Sequence, residues 1–149
     1  MQKRLDKLLL EAKERGKSKK QLKTLHDIIM PRIALYQILQ ENGYSKEEAY
    51  SVIEDYMYNV VCAKMSANYS KISRIPFFFF ILRKAMVKTF KTSDNWETHL
   101  IEDAKDIIRF DIHSCLWYDA CIENNCEEIC RIFCHCDDIN YGNLKNVKF

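Results

Sequence analysis

A chain of 149 residues with three glycines and two prolines is long enough to bury a real core, which excludes a small scaffold dependent on disulfides. Charge is divided unevenly: residues 1–91 carry 18 Lys and Arg against 9 Asp and Glu, residues 92–149 carry 5 against 12, and the whole balances at +2. The basic half has no Gly-rich loops and no regularly interleaved stacking aromatics, so solvated helix faces explain it and no nucleic-acid partner is expected.

Leu5, Leu8, Leu9 and Ala12 recur at helical spacing, and Gly16 supplies a C-terminal cap, so the first element is a short helix. Ser18 and Gln21 have the spacing of a capping box for a second helix, with Leu22, Leu25, Ile28 and Ile29 as its apolar positions. Pro31 should kink or restart it, after which Ile33, Leu35, Tyr36, Ile38 and Leu39 continue an apolar face to the stop signal Asn42-Gly43. Ser45 and Glu48 make another capping box, with Tyr44 and Ala49 at hydrophobic-staple positions. Val52, Ile53, Tyr56, Val60 and Ala63 then predict one long helix from about Lys46 to Ala67.

The longest apolar run, residues 75–82 (IPFFFFIL), is less than half of the roughly 20 residues a membrane-spanning helix needs, so no transmembrane segment is expected. Pro76 suits the first turn of a helix reaching about Phe90, and four successive aromatics require that helix to be enclosed or to give one face to a partner. Its basic flanks, Lys71, Arg74, Arg83, Lys84 and Lys88, fit a membrane-surface helix, yet a buried helix with solvated ends explains the same pattern.

Ile108, Phe110 and Ile112 alternate with Arg109, Asp111 and His113 in the two-residue repeat of a half-buried strand. Ser114 can cap a helix carrying residues 115–123, and Asn125 with Glu128 can cap another running from Cys126 to about His135. Residues 147–149 suggest a second strand after a turn at Tyr141-Gly142-Asn143. His26 and His99 fall in helical contexts. The expected fold is one predominantly helical α+β domain over residues 1–149, its N-terminal helices packed with a small antiparallel sheet.

Six of the seven cysteines lie between Cys115 and Cys136, beside His113, His135, Asp137 and Asp138. The N-terminus has only a brief apolar run at residues 8–10, unlike a signal peptide, so the protein is expected to be cytoplasmic with reduced thiols. Cys126, Cys130 and Cys134 recur at four-residue steps with Ile129 and Phe133, which reads as a core face for Cys126 and Cys130. A zinc site would normally show C-x-x-C pairs, and there are none. No cofactor is therefore expected, with zinc held by His113, Cys115 and the Cys134-His135-Cys136 run as the alternative. Cys115 at a helix start could be a reactive thiol, whereas carboxylates beside Cys134 disfavour its thiolate unless a cationic ligand offsets them. His113, on the polar side of the strand, is a candidate base.

In Phe110-Asp111-Ile112-His113-Ser114-Cys115-Leu116-Trp117-Tyr118 and Phe133-Cys134-His135-Cys136-Asp137-Asp138, together with residues 42–49 (NGYSKEEA) and the aromatic helix, the chain resembles the L-2-amino-thiazoline-4-carboxylic acid hydrolase family of bacterial proteins. The matching pattern is an aromatic strand leading to a Cys, an aromatic three residues on, and a later Cys-x-x-Asp, here Phe110, Cys115, Tyr118, Cys134 and Asp137. Family members continue with an Arg-Thr strand and a Cys-Asp-Phe segment that do not follow here, so the resemblance implies a sheet and site lacking that part. It also implies opening of a small-molecule thiazoline ring by water to give N-carbamoyl-cysteine. In that chemistry Cys134 or Cys115 attacks or flanks the water, Asp137 holds the amidinium nitrogens, His113 is the base, and Arg109 and Tyr118 contact the substrate. The alternative is a non-catalytic cysteine-rich domain that binds a ligand, a metal or another protein. Association into a homo-oligomer is left open.

Overall fold

The computed structural model describes residues 1–142, 144, 145, 147 and 148. Among them the fold is predominantly helical α+β, with one two-stranded antiparallel sheet. It comprises two compact units, each discontinuous in sequence: Met1–Tyr56 with Leu116–Phe133, and Met57–Cys115 with the described residues from Cys134 onward.

In the first unit, α1 (Gln2–Glu14) buries Leu5, Leu8 and Ala12 and ends before Gly16, whose φ of 79° suits a residue without Cβ. The predicted capping box opens α2 (Lys19–Thr24): Gln21 N–H donates to Ser18 Oγ at 3.1 Å, and Ser18 N–H to Gln21 Oε1 at 2.9 Å. A π-helical turn, Leu25–Ile29, joins α2 to α3 (Met30–Glu41). Pro31 has no N–H to offer the carbonyl of Asp27, and Arg32 reaches back instead, its Nη1 donating to Ile28 O at 2.9 Å and Asp27 O at 3.4 Å. Leu25, Ile29, Met30, Ile33, Ala34 and Tyr36 are buried there.

The second capping box is also formed, with Glu48 N–H to Ser45 Oγ at 3.1 Å and Ser45 N–H to Glu48 Oε2 at 2.8 Å, and it opens α4 (Lys46–Tyr56). The helix passes through a π-helical turn, Met57–Cys62, into α5 (Ala63–Ile72) of the second unit. Its buried positions are Ala49, Ile53, Met57 and Cys62, while Val52, Tyr56 and Val60 are exposed. The expected stripe was therefore offset: the last buried step is five residues, because a π-helical turn holds one more residue than an α-turn. α7 (Leu116–Glu123), a 3₁₀ turn (Glu127–Ile129) and the start of α8 (Cys130–Tyr141) complete the first unit. Lys17 and Arg15 hold Glu123 at 2.8 and 3.5 Å. The expected Asn125–Glu128 cap is absent. Asn125 adopts a left-handed φ of 55°, Cys126 takes the cap position, and Glu128 accepts a hydrogen bond from the Tyr36 hydroxyl.

In the second unit, α6 (Phe78–Thr92) begins two residues after Pro76 rather than at it. Phe77 occupies the cap with φ 63°, and its ring is 82 % exposed while Phe78 is buried, so the run is not enclosed. β1 (Trp96–Asp103) pairs antiparallel with β2 (Ile108–Cys115). β1 is the strand's true partner, which corrects two expectations: His99 lies in β1 opposite Asp111, and Val147 and Lys148 are not in a strand. Phe149 and Asn143, the rest of that expected strand and turn, fall outside the described residues. Ser114 and Cys115 belong to β2, so α7 starts at Leu116 rather than at Cys115. Phe90 of α6 packs on Trp96 and Phe110, ring centroids 5.3 and 4.6 Å apart, covering that face of the sheet. Among the described residues no helix is long and apolar enough to cross a membrane.

Candidate active site

α8 runs on to Tyr141, past its expected end near His135, and this extension places the acidic pair on the helix. Cys130, Ile132, Phe133, Cys136 and Asn140 form its buried side, and Cys134, His135, Asp137 and Asp138 are exposed. Cys134 thus leaves the thiol face predicted for it, while Cys126 and Cys130 are buried at 1 % and 7 % exposure as expected. On a helix, residues three apart share a side with Cβ atoms roughly 5–6 Å apart, so Cys134 and Asp137 are neighbours.

Asp137 lies nearer the buried arc of α8 than Asp138. Partial desolvation there, and secondly the charge of Asp138, push its carboxyl above the ordinary value of 3.8 although it remains open to solvent. His135 Nδ1 lies 3.3 Å from Asp138 Oδ2, and its ring meets Tyr58 edge-on at 5.1 Å. One turn beyond Asp137, the Tyr141 hydroxyl donates to that of Tyr69 at 3.4 Å. Burial first, then Tyr69 and then the charge of Asp137 hold the Tyr141 phenol protonated well above its usual range. Sequence reasoning missed this tyrosine pair, whose members lie 72 residues apart.

Cys115 is the last residue of β2 and is half-buried opposite Trp96, so it belongs to the sheet face that Phe90 covers. His113 is the extra residue of a β-bulge: Glu97 pairs with Ser114 and Thr98 with Ile112, leaving His113 unmatched and exposed. The same irregularity ends the expected alternation, and Ile112 is 52 % exposed. Arg109 is exposed and ion-paired with Glu102 across the strands at 3.2 Å, so any anion binding there must compete with Glu102. Tyr118 lies in the first unit, exposed on α7. The helix brings Cys134 and Asp137 together; the strand carries Arg109, His113 and Cys115.

The first unit holds a second group of thiols. Cys121, left unassigned from the sequence, is fully buried, and Cys126 Sγ donates to its carbonyl at 3.5 Å. Hydrogen bonding with Cys126 and Cys130, then burial, drives its thiol far above the ordinary range, so it stays protonated and inert as a nucleophile. Among the described residues no three His, Cys, Asp or Glu side chains are arranged to hold a metal ion. A groove of about 390 Å³ lies elsewhere in the second unit, lined by Arg83, Lys84, Val87, Lys88 and Asp103.

A family model described as L-2-amino-thiazoline-4-carboxylic acid hydrolase matches residues 22–149. No curated protein and no solved structure matches the chain.

Proposed function

The chain belongs to the L-2-amino-thiazoline-4-carboxylic acid hydrolase family, and from that membership we propose that it is a hydrolase opening the thiazoline ring of a small 2-amino-thiazoline carboxylic acid. The match over residues 22–149 is the observation that carries the reaction class. In the net reaction water adds to the amidine carbon, the bond from that carbon to ring sulfur breaks, and the sulfur leaves as a thiol. The amidine becomes the urea of N-carbamoyl-cysteine.

The residue roles rest on the exposed pairing of Cys134 with Asp137. The Cys134 thiolate attacks the amidine carbon and the ring sulfur departs with a proton. This leaves an isothiourea on Cys134, which water hydrolyses to release the urea and regenerate the thiol. Asp137 receives the amidinium nitrogens. A carboxyl held above its ordinary value takes up a proton readily, and a cationic substrate beside it restores its ionisation. Cys115, with His113 as base and Arg109 for the carboxylate, is the competing assignment on β2.

The experiment is product formation by the purified protein from the thiazoline acid, followed by mass spectrometry, with Cys134→Ala and Cys115→Ala beside it. Losing the nucleophile should lower turnover about a thousandfold or more. Full activity in Cys134→Ala with loss in Cys115→Ala moves the nucleophile to β2, and full activity in both removes thiols from the mechanism.

A further inference from the structure

Residues 56–93 contain seven Lys and Arg and no Asp or Glu, in a chain that otherwise carries 21 carboxylates. Arg83 is ion-paired with Asp103, and the other six, Lys64, Lys71, Arg74, Lys84, Lys88 and Lys91, are exposed. Within this cationic stretch the end of α5, the connection to α6 and the first turn of α6 expose Ile72 (46 %), Ile75 (51 %), Phe77 (82 %), Phe80 (46 %) and Ile81 (55 %). Solvated helix faces explain the lysines but not a phenylalanine ring standing in water.

The spacing gives these side chains one direction. Phe77, Phe80, Ile81, Lys84, Lys88 and Lys91 recur at three- and four-residue steps, so one face of α6 is apolar in its first turn and cationic beyond it. Lys84 Nζ stands 4.4 Å above the Phe80 ring, and the groove beyond is lined by Arg83, Lys84, Val87, Lys88 and the carboxylate of Asp103, which Arg83 neutralises. Phe77 holds a left-handed φ of 63°, unfavourable for a bulky side chain, with its ring turned outward.

We propose that the connection between α5 and α6, with the outward face of α6, is a docking surface for an anionic lipid bilayer. Phe77, Phe80 and Ile81 enter the interfacial layer, and Lys84, Lys88 and Lys91 meet the lipid phosphates, the first two at the groove, where Arg83 is held by Asp103. Charge complementarity selects this occupant: a stretch with seven cations and no carboxylate fits a uniformly anionic surface, and aromatic rings beside lysines match the chemistry of the bilayer interface. The proposal is independent of the ring-opening reading.

The test is sedimentation of the full chain with vesicles of phosphatidylcholine alone or mixed equally with phosphatidylglycerol, at low and high salt. Binding is expected only to the anionic vesicles and should weaken with salt. Phe77→Ser with Phe80→Ser, and separately Lys84→Glu with Lys88→Glu, should each lower partitioning about tenfold or more while each variant still unfolds cooperatively, because none of these side chains is in the core. Equal binding to both vesicle types, no binding, or binding indifferent to both pairs of substitutions overturns the proposal. So does displacement by millimolar inorganic phosphate, which assigns the groove to a free anion. Self-association abolished by Phe77→Ser, without vesicle binding, overturns it in favour of a contact between copies of this chain.

Discussion

At the scale of single residues, environment separates seven chemically identical thiols into different roles. Cys62, Cys121, Cys126, Cys130 and Cys136 are buried, Cys115 is half-buried and Cys134 is exposed. A maleimide applied to the native protein should therefore label Cys134 first, and Cys121, Cys126 and Cys130 only on unfolding, as read by peptide mass spectrometry. Early labelling of Cys121 would contradict its burial. Asp137 makes a second prediction. Its folded-state pKa lies above 3.8, so the protonated carboxyl favours the fold, and that contribution is complete below this value and lost as pH rises through the raised one. Asp137→Asn should then gain melting temperature relative to the parent on going from pH 3 to pH 7 while losing turnover, the trade expected of a functional carboxylate. Parallel stability curves across that range would contradict the raised carboxyl assigned to Asp137. Both residues could be named from the sequence through Cys-x-x-Asp. The exposure of Cys134 could not, because it depends on where α8 begins, and the 3₁₀ turn at Glu127–Ile129 breaks the phase that links it to Cys126.

At the scale of elements, local signals were legible and signals overruled from a distance were not. Both Ser-x-x-Glu/Gln boxes formed because donor and acceptor lie within one turn. Asn125 and Glu128 carry the same signature, but Glu128 is taken by the Tyr36 hydroxyl from 92 residues away. Tyr36→Phe should accordingly cost about 1–2 kcal/mol in denaturant unfolding, since the buried ring loses a hydrogen bond to a carboxylate. β1 was passed over although Trp96, Thr98 and Leu100 alternate with Glu97 and His99, because only its pairing with β2 gives the alternation a partner. The π-helical turn at Met57–Cys62 shifts the buried face by one residue, which a fixed helical period cannot register. The end of α8 is equally specific: Gly142 N–H donates to Asp138 O at 2.8 Å, and a Cβ at Gly142 would meet that oxygen at 2.5 Å. Gly142→Ala should cost about 1–3 kcal/mol and loosen the turn carrying Asp137 and Asp138, seen as faster amide exchange there. Unchanged exchange would show that Gly142 does not hold that turn.

For the whole molecule, composition and period gave the class, a helical α+β chain with one small sheet. Family membership comes from a match that runs over residues 22–149. The exposed Phe77 and Phe80 on a stretch without carboxylates were legible only as a question of enclosure or partner, because side-chain exposure follows from packing. We propose that this chain opens a thiazoline ring with water. Incubation of 2-amino-thiazoline-4-carboxylate with the protein in heavy-oxygen water tests it most directly. N-carbamoyl-cysteine is expected over many turnovers, with one heavy oxygen in its urea carbonyl. Product no faster than in buffer alone, or product without the label, would contradict it.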